Sequence, residues 1–331
     1  MAIAADQPIR WGIIGTGGIA ATFAGDLKLL SDAEVVAVGS RSQGSADAFG
    51  DRFGIPKRHA TYEALAEDPD IDAVYVATPH PWHRDGGMLG INAGKAVLIE
   101  KPFTINAAEA RELIDAAQAR GTFLMEAMWT RFLPHVVRIR ELIAEGRLGD
   151  IRSVIADHGQ WFVEDPAFRL FAPVLGGGAL LDLGIYPISF ASMIFGKPRT
   201  ITAVSDPAFT GVDAQTTVVL QYEGGRQSVA FTTLETLSAN QAAINGTDAR
   251  IEVDGVFYAP TSFRLITRER EVEHFNIEHE GHGLRHQAAE VGRCLRAGLT
   301  ESPILTLAET LSIMETMDEV RRQIGLRYPS E

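Results

Sequence analysis

Ile9-Arg10-Trp11-Gly12-Ile13-Ile14-Gly15-Thr16-Gly17-Gly18-Ile19-Ala20 is the stretch on which the fold turns. Its first six residues form a short, largely apolar strand. A cluster of glycines follows, and beyond it Phe23, Leu27 and Leu30 recur at helical spacing. Strand, glycine turn and helix in that order are the setting a GxGxxA fingerprint requires. Gly15 permits the tight turn, Gly17 lets backbone approach a pyrophosphate, and Ala20 keeps the helix close to the strand. The backbone N–H groups of Gly15, Thr16, Gly17, Gly18 and Ile19 then surround a helix start that favours phosphate. A glycine turn by itself is common on protein surfaces; its place after a strand is what points to a dinucleotide.

The next strand, Glu34 to Val38, ends in Gly39-Ser40-Arg41-Ser42. An acidic residue about 20 positions beyond the glycines binds a ribose 2'-hydroxyl in NAD-binding chains. This chain has Arg41 between two serines instead, which suits a 2'-phosphate and predicts NADP over NAD, with Ser40 and Arg41 as its ligands. Further strands follow at Ala73 to Ala77, Val97 to Glu100 and Phe123 to Ala127, alternating with helices such as Asn106 to Arg120. That alternation predicts a parallel sheet.

Val97-Leu98-Ile99-Glu100-Lys101-Pro102 carries Lys101 at a strand's carboxyl end, where open α/β sheets bind ligands. A Glu-Lys-Pro that merely solvates a strand end is the plainer reading. Thr78, His80 and His83 follow the neighbouring strand and fall at the same edge, where His83 serves equally well to begin a helix.

The pattern changes near Met125. After a helix from Leu133 to Glu145 come strands at Ile151 to His158, Thr200 to Ser205, Thr216 to Tyr222, Gln227 to Leu234, Ala249 to Val253, Phe263 to Thr267 and Glu271 to Phe275. Several alternate apolar and polar residues, as in a sheet with one solvated face. Leu284 to Ala297 and Leu307 to Ile324 read as closing amphipathic helices. The predicted class is α/β: a Rossmann dinucleotide-binding domain over residues 1–124, and an α+β domain with a large, mostly antiparallel, open-faced sheet over 125–331. Inside the second domain, Gly176-Gly177-Gly178 leads into an Ala/Leu-rich helix on which Asp182 and Tyr186 are spaced i, i+4, on one face. His279, His282 and His286 lack a metal-site spacing, so no metal is expected.

The 331 residues suggest about two domains, and a net charge of −13 disfavours nucleic acid and anionic membranes as partners. No apolar run approaches the roughly 18 residues of a membrane span. Met1 to Pro8 shows no export signal, and one cysteine, Cys294, fits a cytoplasmic protein without disulfides.

The Gly15 to Ala20 fingerprint, Glu100-Lys101-Pro102, and Gly177-Gly178 leading to Asp182-x-Gly184-x-Tyr186 together resemble the glucose-fructose oxidoreductase and inositol dehydrogenase family (Gfo/Idh/MocA). Many members carry histidine at the position of Tyr186. With Leu124 to Phe132 and Gly176 to Tyr186, the chain is similar to the branch of dimeric dihydrodiol dehydrogenases and NADP-dependent D-xylose dehydrogenases. The resemblance implies an NADP-dependent oxidoreductase acting on a sugar or vicinal diol, with Lys101 catalytic, Tyr186 the acid/base and Asp182 orienting it or the substrate. It also implies cofactor contacts from Ser40, Arg41, Thr78, His83, Glu100, Lys101 and Arg169, and a homodimer through the second sheet. A reductase of 1,5-anhydrofructose or a keto-inositol, and a non-catalytic NADP-binding sensor, share these motifs.

Overall fold

A computed structural model describes residues 7–331, so most of the amino-terminal stretch read for an export signal lies outside the described residues. The chain divides into two compact units, Met1–Trp129 with Glu280–Leu311, and Thr130–His279 with Ser312–Glu331.

The first unit runs β1 (Ile9–Ile14), α1 (Gly18–Leu27), β2 (Ala33–Gly39), α2 (Gln43–Phe53), β3 (Lys57–His59), α3 (Tyr62–Ala66), β4 (Ala73–Val76), α4 (His83–Asn92), β5 (Ala96–Glu100), α5 (Ala107–Arg120) and β6 (Leu124–Ala127). Its six strands are all parallel, in the order β3-β2-β1-β4-β5-β6. The order reverses direction between β1 and β4, the switch point beside which such sheets bind ligands. Caps set the helix ends: Ser42, Thr61 and Asn106 accept N–H groups at the starts of α2, α3 and α5, and Gly54 and Gly121 end α2 and α5 in the left-handed conformation. Aromatic packing fixes α1 on the sheet, since Phe23 meets Trp11 edge-on at 5.3 Å and stacks on Tyr75 at 3.9 Å. Such pairs contribute about 0.5–1.5 kcal/mol each beyond their burial.

The second unit carries α6 (Pro134–Ala144), β7 (Ile151–Gly159), a π-helical turn at Leu180–Gly184 continuing into α7 (Ile185–Phe195), and β8 (Thr200–Pro207), β9 (Asp213–Gln221), β10 (Gln227–Thr233), β11 (Ala242–Gly246), β12 (Ala249–Val253), β13 (Phe263–Thr267) and β14 (Val272–Phe275). Its eight strands are ordered β14-β13-β12-β11-β7-β10-β9-β8, and β7 with β10 is the one parallel pair among them. One face carries Val154, Ala156, Val218 and Ala230, all buried. The other presents Ala243, Ile155, Val229, Val219 and Thr202 as a row in register across five strands, with Ile155 51 % exposed. Sequence reading found no apolar run near membrane length. The segment Pro173–Phe195 does reach it, at a mean hydropathy of 1.5, and its apolar side chains are spent on the core, 83 % of the window being buried.

The closing helices are α8 (Arg285–Arg296) and α9 (Leu307–Ile324). Residues Glu280–Leu311 return to the first unit, whereas the sequence placed everything after 124 in the second domain. The tie is Asp26, a buried carboxylate on α1 that accepts the backbone N–H of His282 at 2.9 Å and of Leu284 at 2.7 Å.

Candidate active site

In the first unit the glycine turn has the shape its sequence calls for. Gly15 has φ +106°, and a Cβ built there lies 2.8 Å from the Ala77 carbonyl oxygen, so only glycine fits between β1 and the end of β4. Gly17, Gly18 and Ile19 are exposed and Thr16 is half-buried. A Cβ at Gly17 or Gly18 meets nothing within 4 Å, and α1 begins at Gly18, after the N-cap Gly17, with no side-chain cap and no acidic residue in its first turn. Uncapped N–H groups under open glycine backbone fit a dinucleotide pyrophosphate. Ser40 is buried at the end of β2, its N–H bound to the His59 carbonyl at 3.0 Å. Arg41 beside it is exposed, and its charge opposes the upward push that burial gives the Tyr62 hydroxyl. Ser42 is taken up as the cap of α2.

The turn carrying Lys101 is built from three sides. Glu100, buried on β5, accepts the Tyr75 hydroxyl through one oxygen and the Lys101 backbone N–H at 3.2 Å through the other. The Lys101–Pro102 peptide is cis. Glu126 on β6 accepts the Phe103 N–H at 3.2 Å, and His83 on α4 holds the Pro102 carbonyl at 2.8 Å. Phe23, Tyr75 and Glu100 thus link the fingerprint helix to the lysine.

The sequence reading gave His83 to the cofactor; in the structure its ring is turned into the protein. It is fully buried, its Nδ1 at 2.8 Å from the Pro102 carbonyl and its Nε2 at 2.8 Å from the Thr78 carbonyl, so neither nitrogen is left for a ligand. Burial, with the charges of His80 and Lys101, pushes the imidazole down to about 3. The ring is therefore neutral, with one N–H to donate to one of the two carbonyls. Thr78 is buried, and its hydroxyl has no hydrogen-bond partner.

In the second unit, Arg169 forms a two-bond fork with Asp182, both distances 3.0 Å. Asp182 is buried within the π turn while the guanidinium is half-exposed. Arg169, read as a cofactor ligand, is thus the partner of Asp182, and the fork geometry adds direction to charge. Tyr186 on α7 is only 6 % exposed. Its ring lies 5.3 Å from His158 and 4.8 Å from Tyr258, which stack on each other at 3.9 Å. Gln160 Nε2 donates to His158 Nε2 at 2.9 Å and to the Tyr258 hydroxyl at 3.1 Å, so the His158 proton sits on Nδ1, facing the Leu183 carbonyl at 3.2 Å.

Sequence reading did not pick out His158, Gln160 or Tyr258. The signal for His158 was a histidine at an inward position of β7; for Tyr258 there was none. Its segment lies outside any strand and is pinned by distant groups: Thr130 to the Tyr258 carbonyl at 2.7 Å, His135 to the Phe257 carbonyl at 3.1 Å, and the Phe257 N–H to Asn240 at 2.9 Å. Among the described residues no three His, Cys, Asp or Glu side chains form a group that could hold a metal ion.

The glycines before this helix are sterically required. Gly178 has φ +113°, and a Cβ there lies 2.1 Å from Asp213 Oδ1. Gly178→Ala is expected to cost about 1–3 kcal/mol from the backbone alone, and more from the clash. A thermal melt reads it, and an unchanged midpoint would mean the turn can rearrange.

Residues 9–128 match the model described as the oxidoreductase family with an NAD-binding Rossmann fold, and residues 136–252 match the GFO/IDH/MocA C-terminal domain. The chain belongs to the Gfo/Idh/MocA oxidoreductase family. It is 40 % identical over 334 residues to the trans-1,2-dihydrobenzene-1,2-diol dehydrogenase of Sus scrofa, covering 98 % of this chain and 99 % of that one. A 3-ketoreductase from Actinomadura kijaniata in complex with NADP and TDP-benzene is 28 % identical, with a TM-score of 0.85 over 96 % of this chain and 98 % of its own. The aldose-aldose oxidoreductase of Caulobacter crescentus, at 24 % identity and a TM-score of 0.88, shares the fold over 96 % and 98 % of the two chains. As a Gfo/Idh/MocA member the protein is a dehydrogenase or reductase of CH–OH groups with an NAD(P)-binding Rossmann domain.

Proposed function

We propose that this Gfo/Idh/MocA protein is an NADP-dependent dehydrogenase of a sugar or vicinal diol, such as an aldose or a trans-dihydrodiol. In this reading Tyr186 is the proton acceptor and Lys101 the cation that steadies negative charge on the reacting oxygen. The observation that carries it is Tyr186, a buried phenol on a helix start held by the Asp182–Arg169 fork, in a chain alike over nearly its full length to dihydrodiol dehydrogenases. Bound nicotinamide supplies the hydride acceptor. An ordinary phenol titrates near about 10, so a tyrosine base depends on positive charge near the reacting hydroxyl, the part assigned to Lys101. His158 and Tyr258 hold the Tyr186 ring, and its burial keeps bulk water off the proton transfer.

A panel of aldoses, inositols and dihydrodiols with NADP and NAD, followed by nicotinamide absorbance, tests the reading. Turnover of a diol or aldose with NADP supports it. Activity confined to 1,5-anhydrofructose or keto-inositol reduction would reassign the substrate, and binding of NADP without turnover of any member would favour a sensor.

The preference for NADP rests on Arg41, exposed just beyond the end of β2. A charge-assisted contact to the 2'-phosphate contributes roughly 1.5–3 kcal/mol. Arg41→Ala should therefore weaken NADP by about ten- to a hundredfold and leave NAD nearly unchanged, as read by fluorescence titration. Equal losses would assign Arg41 to the adenine or the fold.

A homodimer through the open face of the second sheet completes the proposal. The aligned row of Ile155, Val229 and Val219 supports it, and Ile155→Glu should shift a dimer to monomer in sedimentation. We also place the protein in the cytoplasm, consistent with its single, buried cysteine, Cys294.

A further inference from the structure

Asp213 opens β9 and is fully enclosed. Its Oδ2 accepts the Leu180 N–H at 2.7 Å and the Thr216 hydroxyl at 2.8 Å, while Oδ1 has no hydrogen-bond partner. Leu180 is the first residue of the π turn that holds Asp182 and continues into the helix of Tyr186. A Cβ at Gly178, in the preceding turn, would lie 2.1 Å from Oδ1, so the position is kept clear by glycine.

Two further groups face this carboxyl from the carboxyl-terminal end of the chain. Tyr328, itself buried, donates to the Gly177 carbonyl at 2.7 Å, and Arg321 on α9 lies over the Tyr328 ring at 5.2 Å. The Arg321 charge is already answered by Asp318 at 2.6 Å and Glu331 at 2.7 Å. Thr216 also meets the Ser205 hydroxyl at 2.9 Å.

We propose that Asp213 is a positioning residue for the reaction: its carboxylate, by fixing the Leu180 N–H, sets the start of the helix that aims Asp182 and Tyr186, and protonation relaxes that aim. The proposal rests on the reading of Tyr186 as the acid/base group.

Folding alone does not account for an aspartate here. Asparagine has the same shape and would bury no charge, though its neutral amide oxygen would hold the Leu180 N–H more weakly than a carboxylate does. Burial pushes the Asp213 carboxyl up to about 7 from an ordinary 3.8, so the folded state holds the proton more tightly than the unfolded chain does. The group therefore stabilises the fold least above pH about 7, and progressively more as pH falls toward 3.8. An acid that weakens the fold at neutral pH, directly beneath the helix of the acid/base residue, points to a functional use.

The test uses D213N and T216V in the full chain with NADP, recording kcat and thermal midpoint from pH 5.5 to 9. Above pH 7.5, D213N should melt higher than wild type yet turn over about tenfold more slowly, as expected for a small misplacement of a reacting group. Below pH 6 the two proteins should converge in both readouts, since wild-type Asp213 is then neutral. T216V removes a donor to the carboxylate, so the acid limb of kcat should move to higher pH. A D213N to wild-type kcat ratio that is flat across pH, or an unmoved limb in T216V, overturns the proposal; if D213N does not fold, T216V decides. Native turnover in Tyr186→Phe would sink the acid/base reading separately, leaving the pH dependence of the D213N ratio still readable.

Discussion

Tyr186→Phe is expected to fold normally and to lose about two to four orders of magnitude in oxidative kcat, the usual share of general base catalysis. The substitution keeps the ring that packs at 5.3 Å from His158 and 4.8 Å from Tyr258, so the His158, Gln160 and Tyr258 network stays in place. A small change in thermal midpoint with a large loss of kcat would separate chemistry from packing. Tyr186→His adds a sign to the test. Imidazole titrates near about 6.5, so a variant that regains part of the activity should have its basic limb in kcat/KM moved to lower pH. Should the phenylalanine variant turn over at the native rate with an unmoved pH profile, Tyr186 would be a packing residue and His80 the next candidate base.

Lys101→Met is expected to reduce kcat by several orders of magnitude while cofactor still binds, because removing a positioned charge from a reaction centre costs about 10²–10³ in rate or more. Backbone groups and neighbouring side chains contribute three hydrogen bonds to the turn. Glu100 fixes the Lys101 N–H, His83 the Pro102 carbonyl and Glu126 the Phe103 N–H. The variant should therefore keep its stability within about 1 kcal/mol. Near-native turnover would return Lys101 to the plainer role of solvating a strand end.

The two-unit α/β architecture was legible because its signals are local. Strand, glycine turn and helix at Ile9–Leu27 are set by short-range sterics, and the closing helix Leu307–Ile324 was read to the residue from its periodicity. The strand Lys57–His59 was missed: three half-buried polar residues at a sheet edge carry no apolar alternation. Site residues were legible only so far as their chain neighbours fix them. Lys101 follows a buried strand and had to sit at the ligand edge. His83 was placed at that edge too, but whether its ring turns toward a ligand or into the protein depends on two carbonyls, at Thr78 and Pro102, that periodicity does not report. Asp213 escaped because Gly211-Val212-Asp213 reads as the end of a turn, and its partner, the Leu180 N–H, is 33 residues away.

The return of Glu280–Leu311 to the first unit bears on how this protein can be taken apart. A gene fragment ending at Trp129 would encode the whole nucleotide sheet yet omit both amides that satisfy Asp26, leaving a buried carboxylate short of its donors at a cost of roughly 1–3 kcal/mol or more. Chimeras that exchange cofactor modules with a relative would need two splice points in the carboxyl-terminal half besides the obvious one, so that the donor's own strap travels with its sheet.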